Sequence, residues 1–164
     1  MRDSQIRFIR QLGFPGTQFP DSFYSALMFQ PRAVGCVVAL GVLLQSAWPF
    51  LALSAALWWS TLFPSFNLFD AIYNSLVAYP RGLRPLGVAP APRRFAQGLA
   101  GTVAMVIGVA LLMEVTTVAW IFQGLFVVAS MAVVFRDSCA GAEVYYVLRR
   151  TPRPSEERLE STTS

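Results

Sequence analysis

The chain has 164 residues, 55% of them apolar and only 13% charged, a balance far from that of an ordinary soluble domain and of a length that fits one domain. Its net charge of +4 comes from 13 arginines against nine acidic residues, with no lysine. There is no histidine, which excludes His-ligated haem, most zinc sites and any Ser-His-Asp arrangement.

In chain order, residues 1–32 scatter Phe8, Phe14, Phe19, Phe23, Tyr24 and Phe29 among arginines and prolines. That pattern reads as a cytoplasmic, interfacial and partly irregular N-terminal arm. With Asp3 and Asp21 ahead of a very long apolar run, it does not read as a cleaved signal peptide. An apolar stretch follows from Ala33 to Phe63. As one helix it would be about 46 Å long at ~1.5 Å per residue, well beyond a ~30 Å hydrocarbon core. Trp48-Pro49 lies at its midpoint. Proline cannot continue the ladder of the preceding turn, and tryptophan favours the membrane interface. The stretch is therefore predicted to be a hairpin with spans at 33–47 and 49–63. Residues 64–95 are too polar to span. Within them Asn67 is a candidate N-cap, Asp70 suits a first turn, and Leu68, Phe69, Ile72 and Leu76 recur on one helical face. A short interfacial helix is expected there, ended by Pro80. Pro80, Pro85, Pro90 and Pro92 then enforce an extended loop, whose Arg81, Arg84, Arg93 and Arg94 would sit at anionic headgroups. The second apolar stretch, from Ala96 to Phe135, breaks at Glu114, giving spans at 96–113 and 117–135. The last helix is expected to run on to about residue 150, since no proline interrupts it. Residues 151–164 are charged and polar and read as a disordered tail.

Charge fixes the arrangement. With four spans, both termini and the central loop share one face, which holds all 13 arginines, while the two opposite turns hold none. The positive-inside rule makes that face cytoplasmic. The expected fold is an all-α integral membrane protein. Four transmembrane helices form two hairpins (domain 33–150), with the short interfacial helix in the central cytoplasmic loop.

Chemistry is sparse along this chain. The proposed span cores contain no ionisable side chain; Gln45 and Gln123, toward the outer ends, suit interhelical hydrogen bonding. No catalytic, cofactor or metal site is assigned. Basic residues flank spans, so topology accounts for them and nucleic acid is not an expected partner. Ala100, Ala104 and Gly108 form a small-residue row that suits close helix packing. Cys36 and Cys139 both fall near the cytoplasmic face, where a structural disulfide is not expected. Cys139 is either a candidate redox thiol or a small packing residue.

The segment "FNLFDAIYNSLVAYPRG", followed by "APAPRRFAQG" and a cysteine after the final span, resembles a bacterial family of small four-span membrane proteins of unknown function. The pattern is N-x-F-x-x-x-Y-N, then P-R, A-P-x-R-F-A-Q and a terminal C-x-G-C. Asn67, Phe69, Tyr73, Asn74, Val77, Pro80 and Arg81 match it, as do Pro92, Arg94, Phe95, Ala96 and Gln97. Cys139-Ala140-Gly141-Ala142 keeps the first cysteine and lacks the second, so Cys139 has no local resolving thiol. The resemblance implies residence in the bacterial inner membrane. It also implies a thiol relay with a thioredoxin-like or sulfur-transfer partner. The residues themselves favour a non-catalytic protein that contacts lipid and other membrane subunits. Such a protein would be an accessory, assembly or stabilising part of a larger complex, with electron-transfer and energy-transducing assemblies as the candidates.

Overall fold

The computed structural model describes residues 3–14 and 20–149, with seven α-helices and no strand among them. These are α1 (Asp3–Gln11), α2 (Asp21–Leu44), α3 (Ala47–Leu62), α4 (Leu68–Tyr73), α5 (Ala91–Leu112), α6 (Thr116–Arg136) and α7 (Ala140–Arg149).

Four of them form an antiparallel ring. α2 ends where Gln45 turns left-handed (φ 45°), and the Ser46 N–H closes back on the Gly41 carbonyl at 3.3 Å. Gly41 is essential to that turn: a Cβ there would lie 2.6 Å from the buried Phe50 ring, so only glycine lets α3 fold back so closely. α5 then runs antiparallel to α3. Gly108 meets Leu51, Gly101 meets Leu57 and Trp58, and Ser54 Oγ donates to the Gly101 carbonyl at 2.8 Å. A second tight turn at Glu114 (φ 58°) sends α6 back along α5. α6 closes the ring against α2, tied at one end by Gln45 Nε2 donating to Gln123 Oε1 (3.3 Å) and at the other by Tyr24 OH donating to Asp137 Oδ1. Val38, Phe50, Leu57, Ala104 and Ile107 fill the middle.

α2, α5 and α6 are long and apolar enough to cross a membrane. α3 has 16 residues, about 24 Å at ~1.5 Å per residue, short of the roughly 20 residues a spanning helix needs. The ring presents its large apolar side chains outward. Leu43 is 82% exposed, Trp48 71%, Val128 67% and Phe135 77%. A surface like this has no place in water and is the signature of a membrane protein. Among the described residues, every arginine but Arg32 lies at or beyond one end of the ring, Arg32 being exposed part-way along α2, and Glu114 is in a turn at the other end.

A second core caps the arginine-rich end. Phe8, Ile9 and Leu12 pack with Ala26, Leu27, Met28, Tyr73, Ala78, Leu86 and Ala142. Several sequence expectations change here. Within the N-terminal arm (1–32), α1 is a docked helix with Phe8 and Ile9 at 1% and 0% exposure, while Pro15–Phe19 lie outside the described residues. The first long helix begins at Asp21, not residue 33, and passes through Pro31. Pro31 removes one helical hydrogen bond, and burial of Leu27 and Met28 beside it outweighs that loss. The helix expected at 49–63 starts two residues earlier, and those expected at 96–113 and 117–135 are Ala91–Leu112 and Thr116–Arg136. The last helix is not continuous to residue 150. Asp137 turns left-handed (φ 52°), held there by hydrogen bonds from Ser4 and Tyr24, and α7 starts afresh at Ala140. On α4 the buried residues are Phe69, Asp70 and Tyr73, whereas Leu68 and Ile72, with Leu76 in the helical turn that follows, face outward. Phe69 therefore does not share their face. The tail, 151–164, lies outside the described residues.

Candidate functional site

The first turns of α5 carry Arg93 and Gln97, four residues apart and so on one helical face. That face looks inward: both side chains are 4% exposed. α4 brings Asp70 to Arg93 because Asn67 caps the helix just before it, accepting from the Phe69 and Asp70 amides at 3.1 and 3.4 Å. Arg93 grips Asp70 with two parallel bonds, Nη1 to Oδ2 at 2.9 Å and Nη2 to Oδ1 at 2.5 Å. Such a fork is the strong form of a carboxylate pair. From α2, Gln30 Oε1 accepts from Arg93 Nη2 at 2.9 Å and from Gln97 Nε2 at 2.8 Å.

The charge at the centre fixes every amide in this network. A guanidinium can only donate, so Gln30 must turn its oxygen to it. Gln97 must then offer its nitrogen to that oxygen. The Gln97 Oε1 is left over, buried and without a donor. An unsatisfied buried acceptor costs about 1–3 kcal/mol.

The network forms one end of a cavity of about 380 Å³. Leu57, Val103, Phe122 and Phe126 supply apolar wall, and Ser130 and Cys139 are on the same lining. Leu99 and Leu125 line it too and are 40% and 60% exposed, so it opens outward between α5 and α6.

Cys139 sits in the turn before α7. Its backbone is bracketed by one side chain of α1: Gln11 Oε1 accepts from the Cys139 N–H at 3.1 Å, and Gln11 Nε2 donates to the Cys139 carbonyl at 3.2 Å and to Glu143 at 2.7 Å. Burial pushes the thiol pKa up; the amides of Ala142 and Gly141 at the start of α7 pull it down, and Glu143 adds to the rise. Burial wins, so Cys139 is a poor thiolate at neutral pH. Its alkylation by iodoacetamide is expected to be slower than that of a free thiol at pH 7 and to keep rising above the ordinary thiol range. Titrating the rate against pH checks this, and fast labelling at pH 7 would defeat it. The raised pKa also means that the stability this thiol contributes is present below the ordinary thiol range and lost as pH rises through the folded value. Cys36 is free and exposed on α2. Ala142, standing where the resembled pattern has its second cysteine, is fully buried.

The other motif residues hold elements together. Asn74 brackets the Pro-rich loop, donating to the Leu86 carbonyl (3.1 Å) and accepting from its N–H (2.8 Å). Tyr73 packs on Phe29 at 5.6 Å and Phe95 on Tyr145 at 5.7 Å. Buried Pro92 abuts Gly13. Pro80, Arg81 and Arg94 are exposed. In the small-residue row, Ala104 and Gly108 are buried, with Gly108 against α3, but Ala100 stands on the cavity wall and Gly101 makes the close contact with α3. Sequence reasoning placed Arg93 at headgroups and missed it, Asp70 and Gln30 as a cluster. One signal was available: Arg93, Gln97, Gly101, Ala104 and Gly108 all fall on one stripe of α5.

A family model described as a domain of unknown function, DUF4395, matches residues 26–150. The chain belongs to the DUF4395 family. No curated protein and no solved structure is similar enough to match it. The DUF4395 region spans nearly all of α2 and the whole of α3 to α7, and so includes the Arg93 network and Cys139. Phe8 and Gln11 of α1 and Leu12 just after it, which close the site from the N-terminal side, lie outside it.

Proposed function

We propose that this is a non-catalytic, four-span protein of the bacterial inner membrane with both termini cytoplasmic. It acts by binding other membrane components, as an accessory, assembly or stabilising subunit of a larger complex of the electron-transfer or energy-transducing kind. The observation that carries this reading is the outward apolar face of α6, where Trp120, Ile121, Leu125, Val128, Met131 and Phe135 are all exposed. Lipid covers such a face, and so does another transmembrane helix. The polar groups point the same way, since Arg93, Asp70, Asn74 and Gln11 are spent on internal ties. On this reading α3, though short, spans with local thinning of the bilayer, and α4 with the turn after it lays Leu68, Ile72 and Leu76 on the membrane surface.

Two measurements test it. In a background with Cys36 and Cys139 changed to alanine, Trp48→Cys and Thr116→Cys are expected to react with an impermeant maleimide outside intact cells. Gly87→Cys, at an exposed site with nothing within 4 Å, is expected to react only after permeabilisation. External labelling at residue 87 would reverse the topology. Native mass spectrometry in mild detergent then reads assembly, and a lone monomer with no partner in gentle extracts would count against the subunit role.

A second reading, a membrane thiol partner of a thioredoxin-like or sulfur-transfer protein, has one observation in its favour: Cys139 lies at the start of α7 with two amides directed at its sulfur. Partner trapping that persists in Cys139→Ser would dispose of it.

A further inference from the structure

We propose that the cavity between α2, α5 and α6 binds an uncharged, hydroxyl-bearing amphiphile with an apolar chain. Its volume, about 380 Å³, falls within the range of small-molecule sites. Its polarity is sorted: Val103, Phe122 and Phe126 line the apolar part, while Gln30, Arg93 and Gln97 gather at the arginine-rich end. That end also carries an unmet demand, the buried Gln97 Oε1 without a donor.

The network dictates what kind of head group fits. Arg93 is already spent on Asp70, at 2.9 and 2.5 Å, so the two charges cancel. An anionic head would find no free cation there, and a cationic one no free carboxylate. Either would enter a largely apolar cavity without compensation, which is costly. A neutral hydroxyl donates to Gln97 Oε1 and leaves the Arg93–Asp70 pair intact. The oxygen is covered by its neighbours, so the head group reaches it by an adjustment of the Gln97 side chain. The apolar chain leaves between α5 and α6, past Leu99 and Leu125, which line the cavity and are exposed outward. A membrane alcohol and a diacylglycerol share this chemistry. The proposal rests on the membrane reading only for the ligand's route of entry. A failed binding test leaves topology and partner capture standing, and a reversed topology leaves binding in detergent standing.

The test uses the full chain purified in non-ionic detergent and a diazirine-bearing long-chain alcohol, with the matching carboxylic acid and amine as comparisons. Irradiation with the alcohol is expected to give adducts at Val103 and Phe126, with far fewer from the acid or amine. Gln97→Leu is expected to weaken alcohol labelling about five- to tenfold, the loss of one buried hydrogen bond. Ala129→Trp, which fills the cavity from α6 without touching the network, is expected to abolish it and decides the matter if the Gln97 variant fails to fold. Competition by unlabelled diacylglycerol or by an unlabelled isoprenoid alcohol supports the proposal and tells the two sources apart. Competition by neither overturns it, as do adducts confined to the outer positions Val128 and Met131, equal labelling by the acid, or labelling that survives both variants.

Discussion

Asp70→Ala is expected to destabilise the protein by ~3–5 kcal/mol, because it strands a guanidinium away from water. Arg93 and Asp70 are 4% and 5% exposed, so solvent cannot take over from the lost partner. The remaining acceptor, Gln30 Oε1, is neutral and already shared with Gln97. Removing both charges together should be far milder. In Asp70→Leu with Arg93→Met, no charge is left buried and Gln30 keeps its bond from Gln97. Apolar replacement of a buried pair is often neutral or even stabilising. Equilibrium unfolding of the two single variants and the double variant in one detergent reads the coupling. If the double variant lost as much as the two singles combined, Arg93 and Asp70 would not be acting on each other.

The pair also does structural work that the cost alone does not convey. It joins α4, a helix of six residues, to the start of α5, while Gln30 ties both to α2. Three segments far apart in sequence are thereby registered at one point, and the cavity inherits a fixed polar end. A buried charged pair that sets geometry more than it adds stability is a reasonable use of so expensive a feature.

How much of this was legible in the sequence differs by element. The two tight turns were readable from Trp48-Pro49 and Glu114, because a proline after a tryptophan and a lone acid in an apolar run have few other places to go. The asymmetric arginines give both hairpins one expected orientation, with the arginine-bearing ends cytoplasmic. Helix starts were less readable: α2 gained a dozen residues over its apolar run because its first turns are covered by α1 and the central loop, a tertiary effect with no local signature. α1 itself was hidden by its aromatics. Phe8 and Leu12 are four apart and both buried, a helical pattern that the surrounding arginines obscured. The break at Asp137 has no glycine or proline to announce it; what stabilises it are the hydroxyls of Ser4 and Tyr24, more than a hundred residues away. The site was least legible of all. Arg93 and Arg94 are adjacent and chemically identical, and only the helical phase of α5 decides that one is buried against Asp70 and the other exposed.

Gly141→Ala is expected to cost ~1–3 kcal/mol, the price of overpacking, although glycine to alanine ordinarily helps a helix. A Cβ at residue 141 would lie 2.8 Å from the Cβ of Ala96 and 2.9 Å from its Cα. The Cα is backbone of α5 and the Cβ is fixed directly to it, so neither can rotate aside and α7 itself must move away. Gly124 in α6 is the control: nothing lies within 4 Å of its Cβ position, so Gly124→Ala is expected to stabilise by up to ~1 kcal/mol. Opposite signs at two helical glycines separate close packing from helix propensity. The displacement of α7 has a second readout. Cys139 owes its raised pKa to burial in the turn that Gly141 holds against α5. Loosening that contact should let water reach the sulfur while the amides of residues 141 and 142 still face it, and alkylation at pH 7 should then speed up. Gly124→Ala should leave the rate unchanged. If Gly141→Ala destabilised the chain but left Cys139 as slow as before, the thiol would be shielded by α1 and the bracket from Gln11 instead of by the seat of α7 on α5.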